Sequence, residues 1–354
     1  MTRTMIAAMF YGPMDVRLEQ RPVPQPGPGE ILLQVAAATT CGTDVKTYRR
    51  GHPLLFRQTP AGFGHEVAGL VAGIGAGVTQ CREGDAVVVA NSAPCQQCFY
   101  CRHGRLSLCE DLHFLNGAYA EYLLVPERIV RQNLYQLSPS TSFAAAALTE
   151  PLACAIHGID ASEIMSGNTV VILGSGPLGL LLVAAAKLRG ARVIVTGHGA
   201  ERLTLAHHFG ADVVIDVSTL SSQEQNITIR SLIPAQRGAD VVIEAVGTPE
   251  TWTLATTLAR PGGLVNFFGG CPAGTQVSLD THPLHYSELT LKGVFHHTPS
   301  YFAQALELIT EHHIDVEALI TAYMPLESTL TALELLLHKQ GVKYALIPPA
   351  FQQS

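Results

Sequence analysis

The chain has 354 residues, enough for two domains with separate cores. Apolar residues make up 47% and charged residues 14%, with abundant Gly and Pro, which excludes a disordered or coiled-coil chain. Net charge is −7 with no block of Lys or Arg. No apolar run approaches the roughly 18 residues that span a bilayer, so neither nucleic acid nor a membrane is expected as partner.

Met1 to Phe10 holds one Arg and a short apolar patch, then reaches Gly12-Pro13 without a small-residue cleavage site, and reads as a first strand rather than a leader. Residues 1–60 alternate short apolar segments, such as Val16 to Glu19 and Ile31 to Val35, with Pro/Gly turns such as Pro22 to Gly29. The pattern continues through Val67 to Val71, Ala86 to Val89 and Ala118 to Val125, predicting an antiparallel, barrel-like domain over roughly 1–150. From Thr169 the rhythm becomes strand–helix. Strands are predicted at Thr169–Leu173, Arg192–Thr196, Val213–Asp216, Ala239–Ala245, Leu264–Phe268 and Leu289–Val294, with helices such as Ala200–Phe209 and Pro249–Leu258 between them. Six strands with crossover helices imply a doubly wound parallel sheet. Two helical segments, Tyr301–Glu311 and Leu326–Lys339, and a last strand, Lys343–Ile347, are expected to return to the N-terminal domain.

The first strand of the sheet ends in Gly174-x-Gly176-Pro177-Leu178-Gly179, with an apolar small-residue helix after it. Gly174 permits the turn, Gly176 lets backbone approach a phosphate, and Gly179 lets helix and strand pack closely. The helix's free N–H groups then face the pyrophosphate of a dinucleotide.

Four of the eight cysteines cluster as Cys95-x2-Cys98-x2-Cys101-x7-Cys109. Four thiolates in one short loop make a closed tetrahedral zinc site, structural because no position stays open. An iron–sulfur cluster also uses two Cys-x2-Cys steps, but with a shorter last gap followed by Pro; here Glu110 follows, which favours zinc. Cys81, Cys154 and Cys271 read as small buried apolar residues. A second set is dispersed: Cys41 before Gly42-Thr43-Asp44, His65-Glu66, and Glu150. Spacing does not join them. One reading is a buried Cys, a core His and two surface carboxylates; the other is a three-ligand zinc site with an open fourth position, the catalytic pattern.

In these motifs the chain resembles the medium-chain zinc-dependent dehydrogenases, in the branch of the sorbitol (polyol) and threonine dehydrogenases. The resemblance covers essentially the whole chain and is carried by Cys41-Gly-Thr-Asp44, Gly64-His-Glu66, Gly84-Asp85-x-Val87, the four-Cys lobe, Gly117-Ala-Tyr-Ala-Glu121-Tyr122, Glu150-Pro151-Leu152 and Gly174 to Gly179. It implies an α/β fold: a β-rich GroES-like catalytic domain over 1–155 and 296–354, with the zinc lobe at 91–112, plus a Rossmann domain, a doubly wound parallel six-stranded sheet, over 156–295. It implies that Cys41 and His65 bind a catalytic zinc, with Glu66 or Glu150 as carboxylate ligand, and that Thr43 begins a proton relay. Two zinc ions per chain follow, one catalytic and one structural. The implied activity is reversible oxidation of a secondary alcohol of a polyol, sugar or cyclitol by hydride transfer to NAD(P). A threonine-type amino alcohol, or a non-catalytic nucleotide-binding protein on the same scaffold, are the alternatives.

Two positions depart from the family pattern. Lys46 stands where the relay usually continues to a His, leaving it to bind the cofactor or stay in solvent; His52 is a weaker relay candidate. Gly197 stands where NAD-specific members carry an acid for the adenosine ribose, with His198 and Arg202 nearby as donors to a 2′-phosphate, so NADP is favoured over NAD. A hydroxylated substrate is expected among Tyr48, Phe114-Leu115 and Phe295-His296-His297. The resemblance further implies a cytoplasmic homodimer or homotetramer.

Overall fold

The computed structural model describes residues 3–52 and 54–352. The chain divides into two units, Met1–Ala153 with His297–Ser354, and Cys154–His296.

The first unit is built on sheets. A three-stranded sheet joins Thr4–Gly12 to Asp15–Pro22 and Ala61–Gly62, so the start of the chain is a strand from Thr4 onward. The expected barrel-like remainder is a seven-stranded sheet ordered Leu134–Gln136, Ala86–Val89, Glu66–Ile74, Ile31–Thr39, Lys343–Ile347, Ile320–Pro325, with Tyr122–Val125 also paired to Ile31–Thr39. The central strand Ile31–Thr39 is buried along almost its whole length, which its apolar run Ile-Leu-Leu-Gln-Val-Ala-Ala-Ala requires. It pairs antiparallel with Glu66–Ile74 in a register that sets Thr39 opposite Glu66. On its other side Ala345 pairs with Thr39, which brings the C-terminal strand, and Lys343 with it, to the same end of the sheet. The strand Ile320–Pro325 alternates half-buried and exposed residues along its length and pairs parallel with Lys343–Ile347.

The second unit is a parallel six-stranded sheet in the order Val213–Asp216, Arg192–Gly197, Thr169–Leu173, Ala239–Glu244, Ala259–Phe267, Thr290–Gly293. Numbered along the chain this is 3-2-1-4-5-6, the dinucleotide-binding order, with its switch point between Thr169–Leu173 and Ala239–Glu244. Thr169–Leu173 is buried at every position, as a central parallel strand of β-branched residues must be. Predicted and observed strands agree within two residues, except that the fifth begins at Ala259 and not Leu264. The strand runs through Pro261-Gly262-Gly263, and the ladder crosses this stretch through an irregularity between Ala239 and Val241. Asp240 anchors the central strand at its start, accepting the Thr169 N–H at 2.7 Å while Arg260 Nε donates to its other oxygen at 2.6 Å.

Candidate functional site

The dispersed candidates converge. Ligand atoms of Cys41, His65 and Glu66 all lie within 4.8 Å of one another. The antiparallel register explains this: Thr39 faces Glu66, so two residues beyond Thr39 the chain delivers Cys41 beside His65. Cys41 is also the N-cap of the helix Gly42–Arg50, its sulfur accepting the Thr43 N–H at 3.4 Å, at the anion-favouring end of the helix. Asp44 completes a capping box, its Oδ2 accepting the Cys41 N–H at 2.9 Å.

Asp44 also orients the imidazole. Its Oδ1 lies 3.0 Å from His65 Nδ1, both side chains being buried. A carboxylate accepts, so Nδ1 carries a proton and Nε2 is the nitrogen left to a metal, which would displace any proton there. Burial opposes protonation of His65, but the Asp44 charge and the hydrogen bonds with Asp44 and Cys41 outweigh it and raise the proton affinity of the ring.

Glu66 is fully buried and bound on both oxygens. Lys343 Nζ donates to Oε1 at 2.8 Å and lies 2.7 Å from Oε2, and the Thr39 hydroxyl donates to Oε2. Lys343, 1% exposed, also donates to the Thr40 carbonyl at 2.5 Å. Burial works against its charge, but the facing Glu66 outweighs it and the ammonium is retained. Glu150 sits in an adjoining polar group. Asn91 Nδ2 donates to Glu150 Oε1 at 3.0 Å, Asn91 Oδ1 lies 2.9 Å from His297 Nε2, and that nitrogen is 3.9 Å from Glu150 Oε1. Burial pushes the Glu150 carboxyl up to about 7, with the His65 charge opposing and the Glu66 charge adding to the rise. Thr43 is half-buried in the first helical turn and Lys46 is exposed on the same helix. Tyr48 and Leu115, expected beside a substrate, belong to the apolar core.

The lobe cysteines also fit a metal. Cys95 and Cys101 sulfurs are 4.0 Å apart, as are those of Cys98 and Cys109, and all four lie within 4.8 Å of one another. A tetrahedron with about 2.3 Å zinc–sulfur bonds has edges of about 3.8 Å. Main-chain N–H groups feed the cluster: Cys95 donates to Cys109 Sγ at 3.1 Å and Cys98 to Cys95 Sγ at 3.4 Å. Donors from Cys101 and Glu110 bring the Cys98 thiol down to about 6, whereas burial pushes Cys101 up to about 12.

In the second unit the glycine turn has the geometry its sequence demands. A Cβ on Gly179 would lie 1.9 Å from the Gly174 carbonyl oxygen, so only glycine lets helix and turn approach this closely. Gly176 caps the helix Pro177–Leu188 without a side-chain hydrogen bond at the cap. A Cβ on Gly176 would meet nothing within 4 Å, leaving backbone open to a phosphate. Gly197 ends the neighbouring strand, and a Cβ there would fall 1.8 Å from Ser175 Oγ and 2.4 Å from Ser175 Cβ. The space a side chain at position 197 would enter is therefore filled by Ser175, itself buried. His198 and Arg202 follow, both half-buried.

Comparison with known proteins places this geometry in a family. Residues 27–134 match the alcohol dehydrogenase GroES-like domain and residues 177–311 the zinc-binding dehydrogenase domain. Sorbitol dehydrogenase of Bacillus subtilis (strain 168) is 32% identical over 340 residues, 94% of this chain and 93% of that protein. Among solved structures, one described as a zinc-binding dehydrogenase from Sinorhizobium meliloti 1021 bound to NADP superposes with a TM-score of 0.87 at 30% identity, covering 98% of this chain and 100% of that one. The 2R,3R-butanediol dehydrogenase of Bacillus subtilis gives 0.85 at 26% identity, covering 97% and 99%. The class is that of alcohol dehydrogenases with a GroES-like domain and a parallel nucleotide-binding sheet. Within it, the chain belongs to the zinc-dependent medium-chain polyol dehydrogenase family.

Sequence reading overlooked the residues that hold the ligands. Lys343 had a visible signal, a lone cation in the apolar strand Lys343–Ile347. Asp44 and Tyr119 stand in the quoted motifs without a role, and Thr39 and Asn91 carry no local signal of theirs.

Proposed function

We propose that this dehydrogenase holds two zinc ions per chain and uses NADP in preference to NAD to oxidise, reversibly, a secondary alcohol of a polyol, sugar or cyclitol to the ketone. The observation that carries the reading is the convergence of half-buried Cys41 with buried His65 and Glu66, with Asp44 fixing the imidazole. A thiolate, a neutral imidazole and a carboxylate are the donor set of an open catalytic zinc site. Cys41 and His65 would hold the metal, and the carboxylate position falls to Glu66, which lies within 4.8 Å of both. Glu150 stays with Asn91 and His297 as a polar wall. Cys95, Cys98, Cys101 and Cys109 would hold the second zinc.

Bound there, zinc supplies a Lewis acid that draws a hydroxyl's pKa towards roughly 7, and the nicotinamide supplies the hydride acceptor. The chain's own part is to hold the Glu66 carboxylate in place through Lys343, to orient His65 through Asp44, and to pass the hydroxyl proton on towards solvent through the Thr43 hydroxyl, which gives up its own proton as it accepts. Gly174, Gly176, Pro177, Leu178 and Gly179 form the turn and helix start that would face the pyrophosphate. Gly197 leaves no carboxylate against a 2′-phosphate, and His198 and Arg202 are its nearest donors in sequence. The likeness to a sorbitol and a butanediol dehydrogenase supports a vicinal polyol. The edge strand Thr290–Gly293 of the parallel sheet supports a homodimer or homotetramer. Among the described residues no helix is long and apolar enough to cross a membrane, and a cytoplasmic location is part of the same reading. Turnover across a panel of polyols, cyclitols, amino alcohols and primary aliphatic alcohols tests it. Secondary polyol alcohols are expected to lead; exclusive use of primary aliphatic alcohols refutes the substrate class, and a lead for threonine-type amino alcohols moves the chain to the sister activity.

A further inference from the structure

Tyr119 is fully buried, yet its aromatic surroundings give its hydroxyl nothing to do. A phenylalanine would fill the same space beside Phe63, so packing alone does not call for the oxygen. Burying a hydroxyl costs free energy unless it is hydrogen-bonded. Here the hydroxyl donates to Asp44 Oδ2, with the Thr39 carbonyl further off at 3.3 Å. Burial first, and then the Asp44 charge, raise the phenol well above its ordinary pKa, so it remains a donor.

The ring is tied to the His65 segment by other bonds. Tyr119 N–H donates to the Phe63 carbonyl at 2.9 Å, and Gly117 and Ala118 donate to the Gly64 carbonyl at 2.9 and 3.1 Å. A Cβ on Gly64 would come within 2.6 Å of the Tyr119 ring, and Gly64 has φ +85°, so the residue before His65 must be glycine for the ring to lie there. Tyr119 thus joins the segment carrying Cys41 and Asp44 to the one carrying His65. Its donation completes the Asp44 carboxylate: Oδ1 faces His65 Nδ1, and Oδ2 takes the Cys41 N–H and the phenol.

We infer that Tyr119 is a positioning residue of the catalytic metal centre, its hydroxyl locking the Asp44 carboxylate in the rotamer that points His65 Nε2 towards the point shared with Cys41. This rests on the proposed metal site. The test is zinc release from the purified enzyme into a chromogenic chelator, for wild type, Tyr119→Phe, Asp44→Asn and the double variant. Partners of metal-ligating histidines are generally worth 10- to 100-fold in metal affinity. In Tyr119→Phe one zinc equivalent is expected to leave about 10-fold faster and the other at the wild-type rate. In the Asp44→Asn background the same change is expected to add nothing, because the hydroxyl acts through Asp44. Wild-type release from Tyr119→Phe, additivity with Asp44→Asn, or equal acceleration of both zinc equivalents each overturns the inference. If Cys41→Ala keeps both zinc equivalents, the metal-site reading fails instead, and the two failures are told apart.

Discussion

The tightest test of cofactor choice is substitution of Gly197 by Asp, the residue type that accepts ribose hydroxyls in NAD-specific sheets. The Cβ of any side chain there would lie 1.8 Å from Ser175 Oγ, 2.4 Å from Ser175 Cβ and 3.1 Å from Ser175 N. Rotating the serine hydroxyl relieves only the first contact, so the phosphate-binding turn itself must move. Overpacking of this kind costs about 1–3 kcal/mol, so Gly197→Asp alone is expected to lower the melting temperature by a few degrees, roughly as such a loss does in a large domain. It is also expected to weaken both cofactors, because Ser175 belongs to the turn proposed to hold the pyrophosphate. Adding Ser175→Gly removes the obstacle. The introduced carboxylate then repels a 2′-phosphate by about 1–4 kcal/mol for charges some 4 Å apart at intermediate to high dielectric. That is roughly a 5- to 1,000-fold loss in kcat/KM for NADP, with NAD use recovered. The assay is kcat/KM for both cofactors in wild type, both single variants and the double variant. A wild-type preference for NAD of tenfold or more refutes the NADP reading. A single Gly197→Asp variant that melts like wild type and gains NAD activity refutes the steric argument.

Three further outcomes follow from buried charges and the lobe. Replacing Lys343 with Met leaves Glu66 buried without its cation, which costs about 3–5 kcal/mol; denaturant titration is expected to show the loss, largely recovered on adding Glu66→Gln, and an unchanged midpoint contradicts the ion pair. Asp240 is drawn below its ordinary pKa: burial opposes this, but the Arg260 hydrogen bond and the Thr169 N–H outweigh it. With the folded value depressed, its contribution is fully present above the unfolded pKa and is lost as pH falls through the folded one. Melting temperatures from neutral to acid pH are therefore expected to fall less steeply in Asp240→Asn, which starts lower by about 1.5–3 kcal/mol for lost charge-assisted bonds; identical pH profiles contradict it. Cys98→Ser is expected to reduce zinc, measured by mass spectrometry, from about two per chain to about one, and retention of both refutes the four-sulfur site.

What could be seen in the sequence was whatever local pattern controls. The parallel strands showed as short β-branched runs, the dinucleotide turn as three spaced glycines, and the lobe as cysteines whose spacing is itself the site. The helix Ser222–Ser231 went unread although Ser221 and Glu224 form a capping box in plain view. Its residues are mostly polar, so no apolar period marked it. The strand Ile320–Pro325 was hidden because edge pairing needs only one half-buried face. The catalytic set was out of reach for another reason. Cys41, His65 and Lys343 meet through the register of three strands far apart in the chain, and no spacing rule encodes a register. Only the family resemblance joins Cys41 to His65, and it leaves Lys343 out and gives Tyr119 no role.

The account stands most directly on one measurement: the rate of NADP reduction by a polyol with a secondary alcohol, before and after the more labile zinc is removed and then restored. Turnover is predicted to vanish with that zinc, to return when zinc is added back, and not to return in Cys41→Ala. Full activity in the stripped enzyme, or restoration in the Cys41→Ala variant, contradicts a catalytic metal at Cys41, His65 and Glu66.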